Sequence, residues 1–238
     1  MRDGRRIGVI IPALDEEAAV GKVVAGVPGW VDVIVVADNG STDRTAQAAR
    51  AAGALVVVEN ERGYGAACLA AMNALPPVDI VVFLDGDYSD FPEDMADLVD
   101  PILAGRFDFV IGSRVLGRAE KGSLTPQQVF GNWLATRLIH LIWGARYSDL
   151  GPFRAISRGA LDRLQMADRN YGWTVEMQIK AAEAGLSHTE VAVRYRSRIG
   201  VSKVSGTLKG SVMAGIKILS IIGRHLVRRV SPGGASAS

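Results

Sequence analysis

Short apolar runs alternate with helix-patterned segments through the first half of this 238-residue chain. The runs are RIGVIIPA, VDVIVVADNG, ALVVVEN, VDIVVFLDGD and FDFVIGSR, and a stretch with helical spacing follows each of the first four. Strands that are apolar along their whole length are buried on both faces, which is typical of a parallel sheet covered by helices. The alternation therefore predicts an α/β fold, Rossmann-like, with a mostly parallel central sheet flanked by helices.

The rhythm changes after residue 114. GRAEKGSLTPQQ indicates a loop, VFGNWLATRLIHLIWG a helix, SDLGPFRAISRGALDRL a turn and a helix, TVEMQIKAAEAG a helix, and TEVAVRYRSR a strand. Because we find no linker or repeat, we expect one domain over residues 1–206, with halves 1–114 and 115–206. A helix over 207–230 and a disordered tail over 231–238 would follow.

Composition excludes several classes of protein. The net charge is only +2, which argues against a nucleic-acid binder, and the single cysteine, Cys68, cannot form an internal disulfide. No stretch approaches the roughly 18–20 apolar residues of a membrane span. The first apolar run is too short for a signal peptide. These features fit a cytoplasmic protein.

Residues that are unusual for buried strands, most of them polar or acidic, stand where the predicted strands end. They are Pro12, Asp15 and Glu16, then Asp38 and Asn39, then residues 60–62, then Asp85 and Asp87. Ligands of parallel sheets bind beyond the carboxyl ends of the strands. Side chains two apart in an extended segment point the same way, so both Asp85 and Asp87 can reach one divalent cation. Mg²⁺ is held in this manner, through one or two carboxylates and substrate phosphates. The alternative is an ordinary solvated turn.

A series of motifs, IPALDEE, VVADNGSTDRT, NERGYGAA, FLDGDYSDFPED and IGSR, resembles in order and spacing the inverting family 2 glycosyltransferases with the GT-A fold. The later run SDLGPFRAISRGAL…YGWTVEMQIKAAEAG…EVAVRYRSRIGVSKVSGT resembles the subgroup of dolichyl- and polyprenyl-phosphate mannose and glucose synthases. The resemblance covers roughly residues 6–210. It implies a nucleotide-sugar-binding half at 1–114 and an acceptor half at 115–206.

The resemblance also implies site residues. The nucleotide-sugar would be bound by Pro12, Leu14, Glu16, Asp38, Arg62, Gly63, Asp85, Arg198 and Lys203. Asp85 and Asp87 would hold Mg²⁺ or Mn²⁺ on the donor diphosphate, and Ser89 stands where the synthases often carry a glutamine ligand. Gly63 and Gly65 would let the chain pass close to the nucleotide. Arg198, Ser202 and Lys203 would belong to a segment that closes on the diphosphate.

The acceptor determines which catalytic groups are needed. A hydroxyl acceptor needs a general base, for which Asp149 and Glu176 are candidates; otherwise Asp149 orders its loop and Glu176 orients the donor sugar. A lipid phosphate is already an anion and needs cations instead. The candidates for that phosphate are Arg114, Arg154 and Arg196, and the candidate catalytic residues are Asp87, Arg114, Asp149 and Glu176. Arg194, Arg196 and Arg198 would share one face of an extended strand.

The segment TLKGSVMAGIKILSIIGRHLVRR predicts a basic amphipathic helix. Its apolar side would carry Leu208, Val212, Ile216, Leu219, Ile222 and Leu226, with Lys209, Lys217, Arg224 and Arg228 beside it. Such a helix suits an anionic membrane surface, which would place the protein on the inner face of the membrane. The alternative is a helix packed on the domain or on a second copy of the chain.

The leading functional hypothesis is a metal-dependent transfer of a hexose from a nucleotide-sugar, of the UDP-glucose or GDP-mannose type, to a polyprenyl or dolichyl phosphate. The nearest alternative keeps the donor and uses a soluble or protein hydroxyl acceptor. A nucleotide-binding oxidoreductase is more remote, because GYGAAC lacks the third glycine of the dinucleotide fingerprint and follows the third strand.

Overall fold

A computed structural model describes residues 1–200 and 208–230 of the chain, without the side chains of residues 208–214, 228 and 230. Several predictions lie outside the described residues. They concern Ser202, Lys203, the tail 231–238, and the side chains of Leu208, Lys209, Val212 and Arg228.

Within the described residues, seven strands form one sheet. They are β1 (Ile7–Ala13), β2 (Val33–Asp38), β3 (Leu55–Val58), β4 (Ile80–Phe83), β5 (Phe109–Ala119), β6 (Arg154–Ser157) and β7 (His188–Tyr195). Their order is β3-β2-β1-β4-β6-β5-β7, and β6 alone runs antiparallel to its neighbours. This confirms the predicted α/β architecture with a mostly parallel sheet.

Helices cover both faces of the sheet. They are α1 (Val20–Gly26), α2 (Thr45–Ala51), α3 (Tyr64–Ala74), α4 (Met95–Leu103), α5 (Pro126–Trp143), α6 (Arg158–Leu164), α7 (Trp173–Glu183) and α8 (Leu208–Val230). In β1, Ile7, Val9 and Ile11 pack in one core with α1, α2 and α4, whereas Ile10 packs in the other with α3, α5 and α7. All four side chains are fully buried, which is why the strand is apolar at every position.

Two sequence predictions about the second half were wrong. β5 continues to Ala119 and so includes the start of the segment predicted as a loop, because Gly112 to Ala119 pair with β7 across a register shift. The segment SDLGPFRAISRGALDRL, predicted as a turn and a helix, also contains β6, which inserts between β4 and β5. The four-residue strand follows Gly151 and Pro152, and such residues favour a turn over a strand.

The last helix packs against α5 and α7. Ile221 and Ile222 are buried there, and His225 lies within 3.0 Å of the Glu183 carboxylate of α7. Of the predicted apolar side, Ile216, Leu219 and Leu226 are exposed and Ile222 is not, so the packed face is rotated from the predicted one. Among the described helices, none is long and apolar enough to cross a bilayer.

Candidate active site

A cavity of about 1030 Å³ opens beyond the carboxyl ends of the parallel strands. The ends of β1 to β4, with the loops that follow them, and one residue within β5 contribute to its wall. These residues are Pro12, Ala13, Leu14, Glu16, Asn39, Arg62, Gly63, Asp85, Gly86 and Asp87, and Arg114 of β5. The sheet topology therefore brings together the strand ends that the sequence marked as polar.

The carboxylates of Asp85 and Asp87 both line this cavity and occupy its acidic corner. The phenol of Tyr64 donates a hydrogen bond to Asp85 at 2.9 Å. Asp87 accepts one from the backbone N–H of Ser89, also at 2.9 Å. Removal from water raises the pKa of Asp85 to about 6, and the neighbouring Asp87 charge adds to the rise. Burial and the neighbouring Asp87 charge thus both disfavour the ionised form of Asp85.

Arg198 supplies a cation to this corner. One guanidinium nitrogen lies 3.2 Å from Asp87 Oδ2, and the other nitrogen donates to the carboxylate of Glu16. All three side chains line the cavity. Because β7 ends at Tyr195, Arg198 is carried on the loop that follows it, and the backbone N–H of Ile199 donates to the carbonyl of Asp87. The loop after β7 is thereby fastened to the acidic corner.

The residues at the corner fit a divalent cation of the Mg²⁺ or Mn²⁺ type. Within the described part of the chain, no group of three or more His, Cys, Asp or Glu side chains forms a metal cluster. Any ion here would therefore take at most two protein carboxylates, Asp85 and Asp87, and complete its shell with other oxygens. Hard cations bound by substrate phosphates have this kind of site.

The opposite end of the cavity is apolar and lies between α5 and α8. Its wall includes Phe130, Leu134 and Ala135 of α5 and Ile216, Ile218 and Leu219 of α8. Arg114 lines the cavity too, and its guanidinium forms a two-pronged pair with Asp149 at 2.7 and 2.8 Å. One continuous space thus joins an acidic end to an apolar one.

A family model described as "Glycosyl transferase family 2" matches residues 8–165, which is more than half of the chain. The chain belongs to glycosyltransferase family 2. An uncharacterized glycosyltransferase of Mycobacterium tuberculosis is 36% identical over 227 residues, covering 92% of this chain and 99% of the relative. A dolichyl-phosphate hexose transferase of Haloferax volcanii is 32% identical over 210 residues, covering 87% of this chain and 90% of the relative.

Solved structures of glycosyltransferases share the fold. Glucosyl-3-phosphoglycerate synthase from Mycobacterium tuberculosis, in complex with Mn²⁺, uridine-diphosphate and phosphoglyceric acid, is 25% identical with a TM-score of 0.74. The similarity covers 94% of this chain and 79% of that one. The predicted family, GT-A fold and enzyme class are therefore confirmed: the protein is a hexosyltransferase of family 2.

In this glycosyltransferase Asp38 and Asn39, at the end of β2, have different roles. Asn39, rather than Asp38, lines the cavity, and Asp38 accepts a hydrogen bond from the backbone N–H of Ser41 at 3.0 Å. Asn39 donates to the carbonyls of Glu59 and Glu61 and accepts from the backbone N–H of Gly63. The amide therefore holds the loop after β3 against the cavity, which a carboxylate could not do because it has no donor.

The two glycines of the motif NERGYG have a packing role. A Cβ atom on Gly63 would lie 2.0 Å from the carbonyl oxygen of Arg169, and one on Gly65 would lie 1.9 Å from that of Asp168. The predicted reason for these glycines, close approach to the nucleotide, was therefore incomplete: they admit the loop before α7. That loop contributes Asn170 and Tyr171 to the cavity wall.

Two predicted phosphate ligands do not reach the cavity in the structure. Arg154 is only 1% exposed, and its guanidinium donates to the carbonyls of Leu150, Gly151 and Thr174. Arg196 donates to the carbonyls of Tyr88 and Asp90 and stacks on the ring of Tyr88 at 3.4 Å. Backbone carbonyls thus already satisfy these guanidinium groups, and their role toward an acceptor phosphate stays a prediction.

The two candidate bases are likewise engaged elsewhere. The carboxylate of Asp149 is buried and accepts from the backbone N–H and the guanidinium of Arg114. Glu176 is buried on α7, accepts from the backbone N–H groups of Ala167 and Asp168, and pairs with Lys180 at 2.9 Å. Neither carboxylate lines the cavity. Both order loops, which the sequence offered as the alternative for Asp149, and their assignment as bases stays a prediction.

Sequence reasoning missed the residues that fasten the site together. Tyr64 supports Asp85, and Asp168 accepts from the backbone N–H groups of Asn170 and Gly172 and pairs with Lys217 of α8 at 2.9 Å. Tyr64 follows Gly63 directly, so the motif NERGYG could have signalled it. No local signal connects Asp168 with Lys217, because the contact depends on how α8 packs.

Proposed function

We propose that this glycosyltransferase moves a hexose from a nucleoside-diphosphate sugar to a polyprenyl phosphate at a membrane surface, with Mg²⁺ or Mn²⁺ on the donor diphosphate. One observation carries the proposal: a single cavity joins the acidic corner at Asp85 and Asp87 to the apolar end between α5 and α8. A metal-bound diphosphate suits the first end, and a long hydrocarbon chain suits the second.

The donor end has the groups that a nucleotide-sugar needs. Asp85 and Asp87 would hold the metal, which would neutralise the diphosphate and stabilise it as a leaving group. Pro12, Leu14 and Arg62 line the wall beside them. Support comes from the similar glucosyl-3-phosphoglycerate synthase, which was crystallised with Mn²⁺ and uridine-diphosphate. Arg198 would exchange its two carboxylate partners for the diphosphate once the donor is bound.

The transfer requires the protein mainly to position the two substrates and to balance the charges of their phosphates. An oxygen of the acceptor phosphate forms a bond to the anomeric carbon on the face opposite the donor diphosphate. The bond from that carbon to the diphosphate oxygen breaks, and its electron pair leaves with the nucleoside diphosphate. No proton has to be removed from a phosphate acceptor, which agrees with Asp149 and Glu176 being bound to other groups. Arg114 is the cation that we assign to the incoming phosphate, since it lines the cavity.

A small acidic acceptor is the second candidate. It is favoured by the likeness to a synthase crystallised with phosphoglyceric acid, whose phosphate would need the same cation. The apolar wall argues for the lipid instead, because a small hydrophilic acid would leave Leu134, Ile218 and Leu219 facing water. The dolichyl-phosphate hexose transferase among the relatives points the same way. Membership of the family removes the oxidoreductase alternative.

Parallel transfer assays test the proposal. Radiolabelled UDP-glucose and GDP-mannose are each incubated with the enzyme, Mn²⁺, and either polyprenyl phosphate in detergent or 3-phosphoglycerate. We expect label in the organic extract with polyprenyl phosphate, with a product mass equal to the lipid phosphate plus one hexose. Label confined to a water-soluble acidic product would overturn the lipid acceptor and establish the second candidate.

A further inference from the structure

Large apolar side chains surround the mouth of the cavity on its outer side. Phe130 of α5 is 61% exposed and Ile216 of α8 is 57% exposed, and Leu219 is exposed as well. All three also line the cavity. The two helices pack against each other, so these residues belong to one continuous surface. The apolar end of the cavity therefore opens onto a face that is itself apolar.

The apolar surface continues along α5 beyond the cavity. Val129, Trp133 and Leu141 are exposed, and the rings of Phe130 and Trp133 lie 6.0 Å apart. Leu124, Pro126, Val129, Phe130 and Trp133 line a groove of about 500 Å³. Soluble proteins rarely leave such contiguous apolar groups in water unless they contact a partner. We call Val129, Phe130, Trp133, Leu141, Ile216 and Leu219 the α5–α8 face.

The charges of the two helices select the partner. Neither the 18 residues of α5 nor the 23 of α8 include an Asp or a Glu, although the whole chain has 25 acids. The two helices contain six Lys and Arg residues, of which Arg137, Arg224 and Arg229 are described as exposed. An apolar face with basic and no acidic residues on its helices matches an anionic lipid surface. It does not match a second copy of itself, because two such faces would repel each other.

We propose that the α5–α8 face docks on an anionic bilayer, with Phe130 and Trp133 at the level of the lipid headgroups and the mouth of the cavity open to the lipid. Aromatic side chains favour this interfacial region. The proposal rests on the proposed function and extends it, because it adds α5 to the membrane-contacting surface that the sequence predicted for the last helix alone. On α8, Ile221 and Ile222 are buried in the core, whereas Ile216 and Leu219 are exposed and also line the cavity.

Co-sedimentation with vesicles tests the docking. The variant Val129→Gln, Trp133→Gln, Leu141→Gln changes three exposed residues that are not part of the cavity wall. We expect its affinity for phosphatidylglycerol-containing vesicles to fall at least tenfold. The control Leu55→Gln alters an exposed leucine on the edge strand β3, outside the α5–α8 face, and should bind like the wild type. Equal binding by the triple variant and the wild type would overturn the proposal.

The depth of the face is tested with one further change. Vesicles of brominated phosphatidylglycerol should quench the tryptophan fluorescence of the wild type. Trp133→Phe keeps the apolar character, so vesicle binding should persist while most of the quenching is lost. Quenching that survives in Trp133→Phe would place the contact elsewhere and overturn the assignment to α5.

Transfer to a short-chain polyprenyl phosphate in detergent separates this proposal from the proposed function. If the triple variant keeps this activity and loses vesicle binding, docking is supported independently of the chemistry. If the wild type transfers sugar in detergent but ignores anionic vesicles, docking is wrong and the proposed function stands. If it binds vesicles through α5 but transfers only to 3-phosphoglycerate, the lipid acceptor is wrong. If the wild type is a dimer in sedimentation analysis and the triple variant is a monomer with unchanged vesicle binding, the α5–α8 face contacts a second copy of the chain, and docking is wrong.

Discussion

The two ends of the cavity are built in opposite ways. At the donor end, charged groups are matched by neighbours: Asp87 and Glu16 share Arg198, and Asp85 accepts from Tyr64. The apolar end between α5 and α8 is the acceptor end in our proposal, and large apolar side chains there, such as Phe130 and Ile216, stay exposed. The donor end thus already contains a cation, Arg198, beside its carboxylates. Within the described residues these apolar side chains of the second end stay uncovered, and we propose that lipid covers them.

The strongest test of the donor end removes Asp87. The change Asp87→Ala should lower kcat/KM by on the order of 10³, because the metal would lose one of two protein carboxylates. Steady-state transfer assays and calorimetry of Mn²⁺ with UDP would measure the loss. Asp97→Ala is the matched control, since it removes an exposed acid from α4. If kcat/KM of Asp87→Ala stayed within tenfold of the wild type, Asp87 would not be a metal ligand, and the contrast between the two ends would fail.

Arg114 lines the cavity and pairs with Asp149, so its loss should affect stability. Its pair with Asp149 is nearly buried, so Arg114→Ala would leave a buried carboxylate without its cation, at a cost of about 3 kcal/mol in unfolding free energy. Urea denaturation measures this directly. Arg114→Lys should recover part of the stability through a single contact while transfer stays low. If Arg114→Ala were as stable as the wild type, the Arg114–Asp149 pair would not contribute to the unfolding free energy.

The acceptor end is tested by polarity at Leu219. Leu219→Gln should raise the KM for polyprenyl phosphate about tenfold, since the side chain lines the apolar wall, and leave the donor KM unchanged. Leu226→Gln, about two turns farther along α8, is the control and should match the wild type in detergent assays. A parallel rise in the donor KM would mean that the ends are not separate.

The smallest expected effect concerns the pH dependence of the metal. With the pKa of Asp85 raised to about 6 in the folded chain, the native state binds its proton more tightly than the unfolded state does. Its contribution to stability therefore falls as pH rises from about 4 to about 6, and stays low above that range. Mn²⁺ favours the ionised form, so it should raise Tm by a few degrees more at about pH 7.5 than at about pH 5.

Scanning fluorimetry of wild type and Asp85→Asn would check this difference. The variant should lose the pH-dependent part of the Mn²⁺ effect, because it has no proton to release. The comparison isolates Asp85 from Asp90, whose pKa burial raises as well. An unchanged pH dependence in Asp85→Asn would assign the effect to another group.

The donor end was predictable because topology and strand period determine it. Once β1 and β4 were recognised as parallel strands, Glu16 and Asp87 had to meet at one edge. The three arginines at 194, 196 and 198 were not predictable by the same rule. β7 ends at Tyr195, so the alternation of a strand stops before Arg196, which stacks on Tyr88 while Arg198 reaches the cavity.

The acceptor end was harder to predict because long-range packing decides it. The periodicity of α8 correctly identified an apolar and basic helix, but not which apolar residues would face α5 and α7. Phe130 and Trp133 fall within an evenly apolar helix whose sequence does not distinguish core from surface. Arg154 was a candidate phosphate ligand because a phosphate acceptor needs cations. Only the structure showed that three carbonyls hold it.

The contact between Lys217 and Asp168 joins the two ends mechanically. Gly172, in the same loop, lies so close to α8 that a Cβ atom there would be 1.7 Å from Ile221 Cδ1. The loop in turn rests on Gly63 and Gly65, and Gly63 lines the cavity. A shift of α8 on a bilayer would consequently move this loop and the part of the cavity wall that it forms. The enzyme on lipid and the enzyme in water could therefore differ in their affinity for the donor.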